Sequence, residues 1–204
     1  MEPAARLLVH LEGTSKSYIL WNGTASYYTK LRAAYKDISE DKQGDYLHFA
    51  FFTLCASTLE YSLNFILTNY CVDKYGPDKY KSFAEGYIAI SFAKKLLMTP
   101  SIVSEGQLTF NEDHKSYKNL LGLISLRNKI LHNKDFLKEF DFPKLKGEET
   151  NVEFQIKVDS NPIDTLKKDN CLTFGNSLGD FKKYLMTPAL NHELTENEMI
   201  LKIK

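Results

Sequence analysis

Cysteine is scarce in this 204-residue chain, and Cys55, Cys71 and Cys171 stand far apart with no CxxC pair and no Cys/His cluster. That spacing supports neither a disulfide framework nor a zinc site. An excess of charge is also missing, since 26 Lys and Arg face 26 Asp and Glu. No long-range field would draw the chain to nucleic acid or anionic lipid, so any such partner has to meet a local patch. His10, His48, His114 and His192 are scattered without HExxH or similar spacing, which leaves a metal centre unsupported. The closest glycines, Gly175 and Gly179, lack the Lys-Ser/Thr of a phosphate loop, and Ser104-Glu105-Gly106 is no nucleophile elbow. The expectation is a protein without metal or cofactor.

Long apolar runs are equally few. The N-terminal MEPAARLLVHLEGTSK offers only the short stretch Leu7–Leu11 and carries Glu2, too little for a signal-peptide core. The most apolar segment, HFAFFTLCASTLEYSLNFIL, is broken by Ser57, Thr58, Glu60, Ser62 and Asn64, and falls short of the roughly 20 mostly apolar residues of a membrane span. It reads as a buried core helix. With the free cysteines, these features lead us to expect a reducing, cytoplasmic setting and no membrane.

What the chain does have is helical periodicity and enough apolar residues, 43%, for one sizeable core. An aromatic-rich segment from Ser15 to about Lys36 reads as a helix, weakened by Gly23 and the neighbouring Thr and Tyr residues. Asp45 is placed to cap a long helix reaching about Tyr75, where Gly76-Pro77-Asp78 supplies a stop. Asp78 to about Met98 reads as a second long helix ended by Thr99-Pro100, followed by a loop over Ser101–Phe110. A third runs from Asn111, with Asn111 and Glu112 suited to its N-terminus, to about Phe136.

After Pro143 the pattern changes. Val152, Phe154, Ile156 and Val158 alternate with Glu153, Gln155 and Lys157, a strand period. Asn176 or Ser177 could cap a further helix reaching Leu185, and the terminal MILKIK reads as a short strand or a loose tail. The expected fold class is mainly α: an antiparallel helical bundle over residues 1–142, its core at about 45–140, with a small β element in the C-terminal third. Residues 143–204 form an extension with short strands and a helix, packed on the bundle.

One stretch of the third long helix breaks its own pattern. Leu120, Leu123, Ile124, Arg127 and Leu131 fall on one stripe, so Arg127 occupies a core position. Its guanidinium stays charged and must reach water, a carboxylate or an arriving anion such as phosphate. Asn128 and His132, four apart, flank that stripe together with Ser125. In the first long helix Thr53, Ser57, Glu60, Asn64 and Thr68 share one ribbon. Glu60 could therefore meet Arg127 across the bundle, making the Arg structural, or the ribbon could be a solvated edge.

The run Arg127-Asn128-Lys129-Ile130-Leu131-His132, embedded in LISLRNKILHNK near the end of the last core helix, resembles the motif of HEPN domains. In that superfamily an Arg is followed after four to six residues by His, with a polar residue, often Asn, right after the Arg. The resemblance covers roughly residues 45–140. It implies a metal-independent endoribonuclease of toxin–antitoxin or phage-defence systems, homodimeric with a composite active site, and an antitoxin or defence partner. Carried over by position, His132 would be the general acid/base, Arg127 would hold the scissile phosphate, and Asn128 would orient phosphate or His132.

The chemistry fits those residue types, because His moves protons near neutral pH and the Arg fork suits a phosphorane. The 2′-hydroxyl would be the nucleophile, so DNA should resist. Lys129, Asn133 and Lys134 could add phosphate contacts, and Lys94 and Lys95 a second basic spot, unless each is merely solvated surface. The alternative is a non-catalytic helical module of the same type that binds a partner protein or nucleotide.

Overall fold

The computed structural model of the protein describes residues 4–10, 17–42, 44–131, 162–183 and 200–203. In chain order these form β1 (Ala4–His10), β2 (Ser17–Asn22), α1 (Thr24–Ser39), α2 (Asp45–Tyr75), α3 (Tyr80–Ile88), α4 (Phe92–Val103), β3 (Leu108–Phe110) and α5 (Lys115–Leu131). A single 3-10 turn (Pro162–Thr165), α6 (Lys168–Phe181) and β4 (Leu201–Ile203) follow. The chain is mainly α, and the other helices pack around α2.

The reason lies in α2 itself. Phe52, Cys55, Leu59, Leu63, Leu67 and Cys71 recur every three or four residues and are all but inaccessible, and neighbouring Phe51, Ala56 and Val72 widen that face. Each fully buried leucine contributes about 2 kcal/mol of transfer free energy. Buried Thr58 and Ser62 do not spoil the face, because their hydroxyls donate to the carbonyls of Leu54 and Thr58 one turn back. By length and composition this helix could cross a bilayer, more than the interrupted apolar run suggested. Here it is the central element of a bundle core.

α1 contributes Tyr28, Leu31 and Ile38 to that core, α5 contributes Tyr117, Leu120, Leu123 and Ile124, and α6 contributes Cys171, Phe174, Leu178 and Phe181. The C-terminal helix is thus packed between α1, α2 and α5. Ser116 Oγ donates to the Asp180 carboxylate and Asn119 Nδ2 to Ser177 Oγ at 3.0 Å, two polar ties across the α5–α6 contact. β3 and β4 pair antiparallel, Leu108 with Ile203 and Phe110 with Leu201, and Asn111 N donates to Ile200 O at 2.8 Å. Within the terminal MILKIK, Leu201–Ile203 is therefore a strand.

Several boundaries differ from those read off the sequence. Ser17–Asn22 is a strand paired with β1, since Tyr18, Ile19 and Trp21 fit a pleat better than a helix. α1 begins only after Gly23, where Asn22 Oδ1 accepts the Thr24 N–H at 3.0 Å. Gly44, at φ 127, precedes Asp45, which is the first helical residue of α2 rather than its cap.

The segment from Asp78 to Met98 is two helices, broken at Ala89–Ser91. α3 lies against the end of α2 through the Tyr75–Phe83 stack at 3.8 Å, and the break frees α4 to bury Phe92, Leu96 and Thr99. Pro100 is inside α4, which continues to Val103. The lost N–H and crowded carbonyl fall near the end of the helix, where Thr99 and Pro100 are buried. The loop expected over Ser101–Phe110 is shortened by that last turn and by β3. At α5, Asn111 forms a turn by accepting the Asp113 N–H, and His114 Nδ1, not Asn111, accepts from Ser116 at the helix start. Asn176 and Ser177 lie within α6 instead of capping a helix, and its start is bonded by Asn170 Oδ1 to Lys167 N. The alternating stretch Val152–Val158 lies outside the described residues.

Candidate functional site

α5 brings Arg127 to the point where the bundle core meets the surface. Leu120, Leu123 and Ile124 are buried, the Arg127 side chain is 23% exposed, and Leu131 is 49% exposed. The apolar stripe therefore leaves the core at Arg127, and Leu131 is not the core residue that periodicity alone assigns. Ser125, Asn128 and Lys129 are exposed. His132, Asn133 and Lys134 lie outside the described residues.

Glu60, Asn128 and Phe92 surround the guanidinium. Arg127 Nη2 stands 3.6 Å from Glu60 Oε2, Nη1 donates to Asn128 Oδ1 at 3.1 Å, and Cζ lies 5.9 Å from the centre of the Phe92 ring. The neighbour pair Arg-Asn thus acts as a unit, with Asn128 holding one edge of the fork that Glu60 draws toward α2. An aromatic face beside a cation adds about 0.5–1 kcal/mol and keeps water from one side. The Glu60 side chain is 36% exposed, so the pair is neither sealed inside the fold nor free in solvent.

The ribbon on α2 divides between both readings of it. Ser57 is exposed, and Thr53 only satisfies the Phe49 carbonyl on its own helix at 2.9 Å. Glu60 and Asn64, one turn apart, face cations: Arg127 for Glu60, and for Asn64 the ammonium of Lys95 on α4, at 2.7 Å. Lys95 is 3% exposed. Burial drives its pKa down, opposed by the negative charge of Glu60.

In the sequence Lys94 and Lys95 read as a basic spot or as solvated surface. The structure separates them: Lys94 is exposed, and Lys95 shares a buried face with Phe92, Leu96 and Thr99. The signal was present, because 92, 95, 96 and 99 form a helical stripe interrupted by a cation, as 120, 123, 124 and 127 do. A helix break at Ala89–Ser91 sets which face of α4 meets α2.

Arg127, Asn128, Phe92, Lys95, Asn64 and Glu60 make one constellation from three helices, in which the Glu60 carboxylate pairs with Arg127 and its charge also acts on Lys95. Its guanidinium and ammonium groups are donors of the kind that phosphate oxygens accept. Among the described residues no group of three or more His, Cys, Asp and Glu side chains converges to hold a metal. No family model, curated protein or solved structure matches this chain.

Proposed function

We propose that the protein is a metal-independent endoribonuclease of the HEPN type, cutting RNA by attack of the 2′-hydroxyl on the adjacent phosphorus. Arg127 holds the scissile phosphate and stabilises the charge of the phosphorane, His132 transfers the proton, and Asn128 keeps the Arg127 fork in line. Lys129, Asn133 and Lys134 extend the phosphate contacts. The products are a 2′,3′-cyclic phosphate and a 5′-hydroxyl end. The single observation that carries this reading is a half-buried guanidinium, oriented by Glu60 and Asn128 at the surface end of α5, five positions before a histidine. A fixed fork aimed from a rigid helix costs little reorganisation when charge develops on phosphate. We propose a cytoplasmic homodimer with a composite site, in a toxin–antitoxin or defence setting, restrained by a partner protein.

The deciding experiment incubates mixed RNA with wild type and with His132→Ala in EDTA. Cleavage by wild type and its loss of at least about 100-fold in the variant are expected. Equal cleavage by both, or none by folded wild type, removes the assignment. A second reading has one observation in its favour: Glu60 gives Arg127 a partner within the fold. On that reading the chain is a non-catalytic module of the same type that binds a partner protein or nucleotide, and wild type leaves RNA intact.

A further inference from the structure

α1 and α6 run antiparallel: Tyr35 Oη donates to Asn176 Oδ1 at 3.0 Å, and Lys182 Nζ lies 4.7 Å from the centre of the Tyr28 ring. Between the two helices lies a groove of about 500 Å³, the size of a small-molecule site. It shares no residue with the Arg127 constellation. α1 lines it with Tyr28, Leu31, Arg32 and Tyr35, one stripe at helical spacing, and α6 brings Gly175 and Gly179. At Gly175 the helices touch, since an added Cβ would lie 2.6 Å from Tyr35 Cδ2, and only glycine permits that approach. At Gly179, one turn on, an added Cβ would meet nothing within 4 Å. Helices in contact at one turn and parted by open space at the next form a narrow slot. No packing contact accounts for Gly179, although glycine is, proline aside, the residue a helix interior tolerates least. Its missing side chain leaves the slot open.

The slot also has a charged end. Arg32 stands one turn from Tyr28 on the same face of α1, and Lys182 lies over the Tyr28 ring, so both cations belong to that end. Arg32 makes no hydrogen bond, ion pair or ring contact among the described residues. The one carboxylate of the lining, Asp180, already accepts the Ser116 hydroxyl of α5. At the other end Asn176 uses Oδ1 on Tyr35, which leaves its amide N–H donors without a partner among the described residues.

We infer that the groove between α1 and α6 is a binding site for a flat aromatic oxyanion, a ring that carries a carboxylate or phosphate. The ring lies in the slot left by Gly179, Arg32 takes the oxyanion at the Tyr28 end, and Asn176 donates to ring heteroatoms at the other. A flat group suits a space only as wide as two touching helices leave, and the Arg32 fork matches carboxylate or phosphate oxygens. Lys182 adds positive charge at the same end. The site goes beyond the ribonuclease reading and does not depend on it.

The test records amide NMR spectra of the full chain titrated with phenyl phosphate, indole-3-acetate and adenosine monophosphate. Inorganic phosphate, acetate and indole serve as half-ligands that offer the charge or the ring alone. At least one whole probe should bind at about 1 mM or tighter, shift the amides of Gly175 and Gly179, and exceed its half-ligands by about tenfold or more. Preference for the nucleotide, or for the simple acids, upholds the site and names the source of the ring. Gly179→Leu fills the slot from a position where a side chain meets nothing, so it should melt at or above the wild-type temperature and abolish binding. Arg32→Met removes an exposed guanidinium without a partner in the described fold and should weaken binding by about tenfold or more. If Gly179→Leu fails to fold, Arg32→Met decides. Wild-type affinity in either folded variant, half-ligands that bind as well as whole probes, or Gly175 and Gly179 amides unmoved by every probe overturns the inference.

Discussion

Arg127 on α5 and Glu60 on α2 face each other at 3.6 Å, with 23% and 36% of their side chains exposed. Their exposure places the pair between two regimes: a sealed ion pair would hold the guanidinium away from any ligand, and a fully solvated one would leave it unoriented. Arg127→Ala should reduce RNA cleavage by at least about 100-fold, the scale of losing one fixed donor to a developing oxyanion. Urea unfolding should shift by only about 1 kcal/mol. Arg127→Lys keeps the charge and loses the fork, so it should recover little of the activity. Single-turnover cleavage with matched urea curves separates the two effects, and near-wild-type cleavage by Arg127→Ala would discard its role.

A double-mutant cycle on Glu60→Gln and Arg127→Met isolates the pair itself. We expect a coupling of about 0.5–1 kcal/mol in unfolding free energy. A coupling indistinguishable from zero would mean that Glu60 does not orient Arg127 in solution.

Two glycines one turn apart in α6 should answer the same substitution with opposite signs. A Cβ on Gly175 would sit 2.6 Å from Tyr35 Cδ2 and 3.1 Å from Phe51 Cζ, whereas a Cβ on Gly179 meets nothing within 4 Å. Gly175→Ala should destabilise by about 1–3 kcal/mol as α1 is pushed off α6. Gly179→Ala should be neutral or stabilise by up to about 1 kcal/mol through helix propensity. Chemical denaturation of the two variants side by side checks the contrast, and a loss at Gly179 matching that at Gly175 contradicts it.

Alkaline pH should weaken the fold. Burial pushes the Cys171 thiol up to about 11 and raises the Cys55 thiol and the Tyr28 phenol as well. With the folded pKa above the unfolded one, the unfolded chain loses these protons first, so stability is complete below about pH 9 and falls as pH rises toward the folded values. Lys95, whose pKa is lowered by burial, contributes a slope of the opposite sign. Urea midpoints measured from about pH 8 upward should decline, and Cys171→Ala should flatten part of that decline. An identical pH profile in Cys171→Ala would show that its thiol is not the buried group described here.

The hydroxyl of Ser116 donates to Asp180 across the α5–α6 contact. Ser116→Ala leaves the carboxylate without that donor and should cost about 1–3 kcal/mol. Thermal unfolding checks it, and an unchanged midpoint would assign the contact no net worth.

Much of the bundle is legible in the sequence because its signals are local. α2 has a stop in Gly76-Pro77-Asp78 and an apolar face longer than any alternative could use, and its limits follow. The break between α3 and α4 has no proline or glycine to mark it, and Pro100 is a false stop, since burial in the last turns outweighs the missing hydrogen bond. β2 reads as a helix because the aromatic and β-branched residues that fit a pleat also satisfy a helical spacing until a partner strand decides. At the site, Arg127 announces itself as a cation in a leucine position and Glu60 as its counterpart. Lys95 carries the same signal, hidden while its helix is read as a continuation of α3, because the face it presents depends on where α4 starts.

The pairing of Phe110 with Leu201 has a kinetic meaning. Phe110, Ile200 and Leu201 are all at most 2% exposed, and Asn111 N bonds Ile200 O at 2.8 Å just before α5 starts. Contacts so distant in sequence form late, after the helices around α2 have bought the loop closure they require. During synthesis Phe110 is made well before Leu201, so their pairing waits for β4 to leave the ribosome. Completion of the core, and with it the anchoring of the helix that carries Arg127, is thereby coupled to emergence of β4.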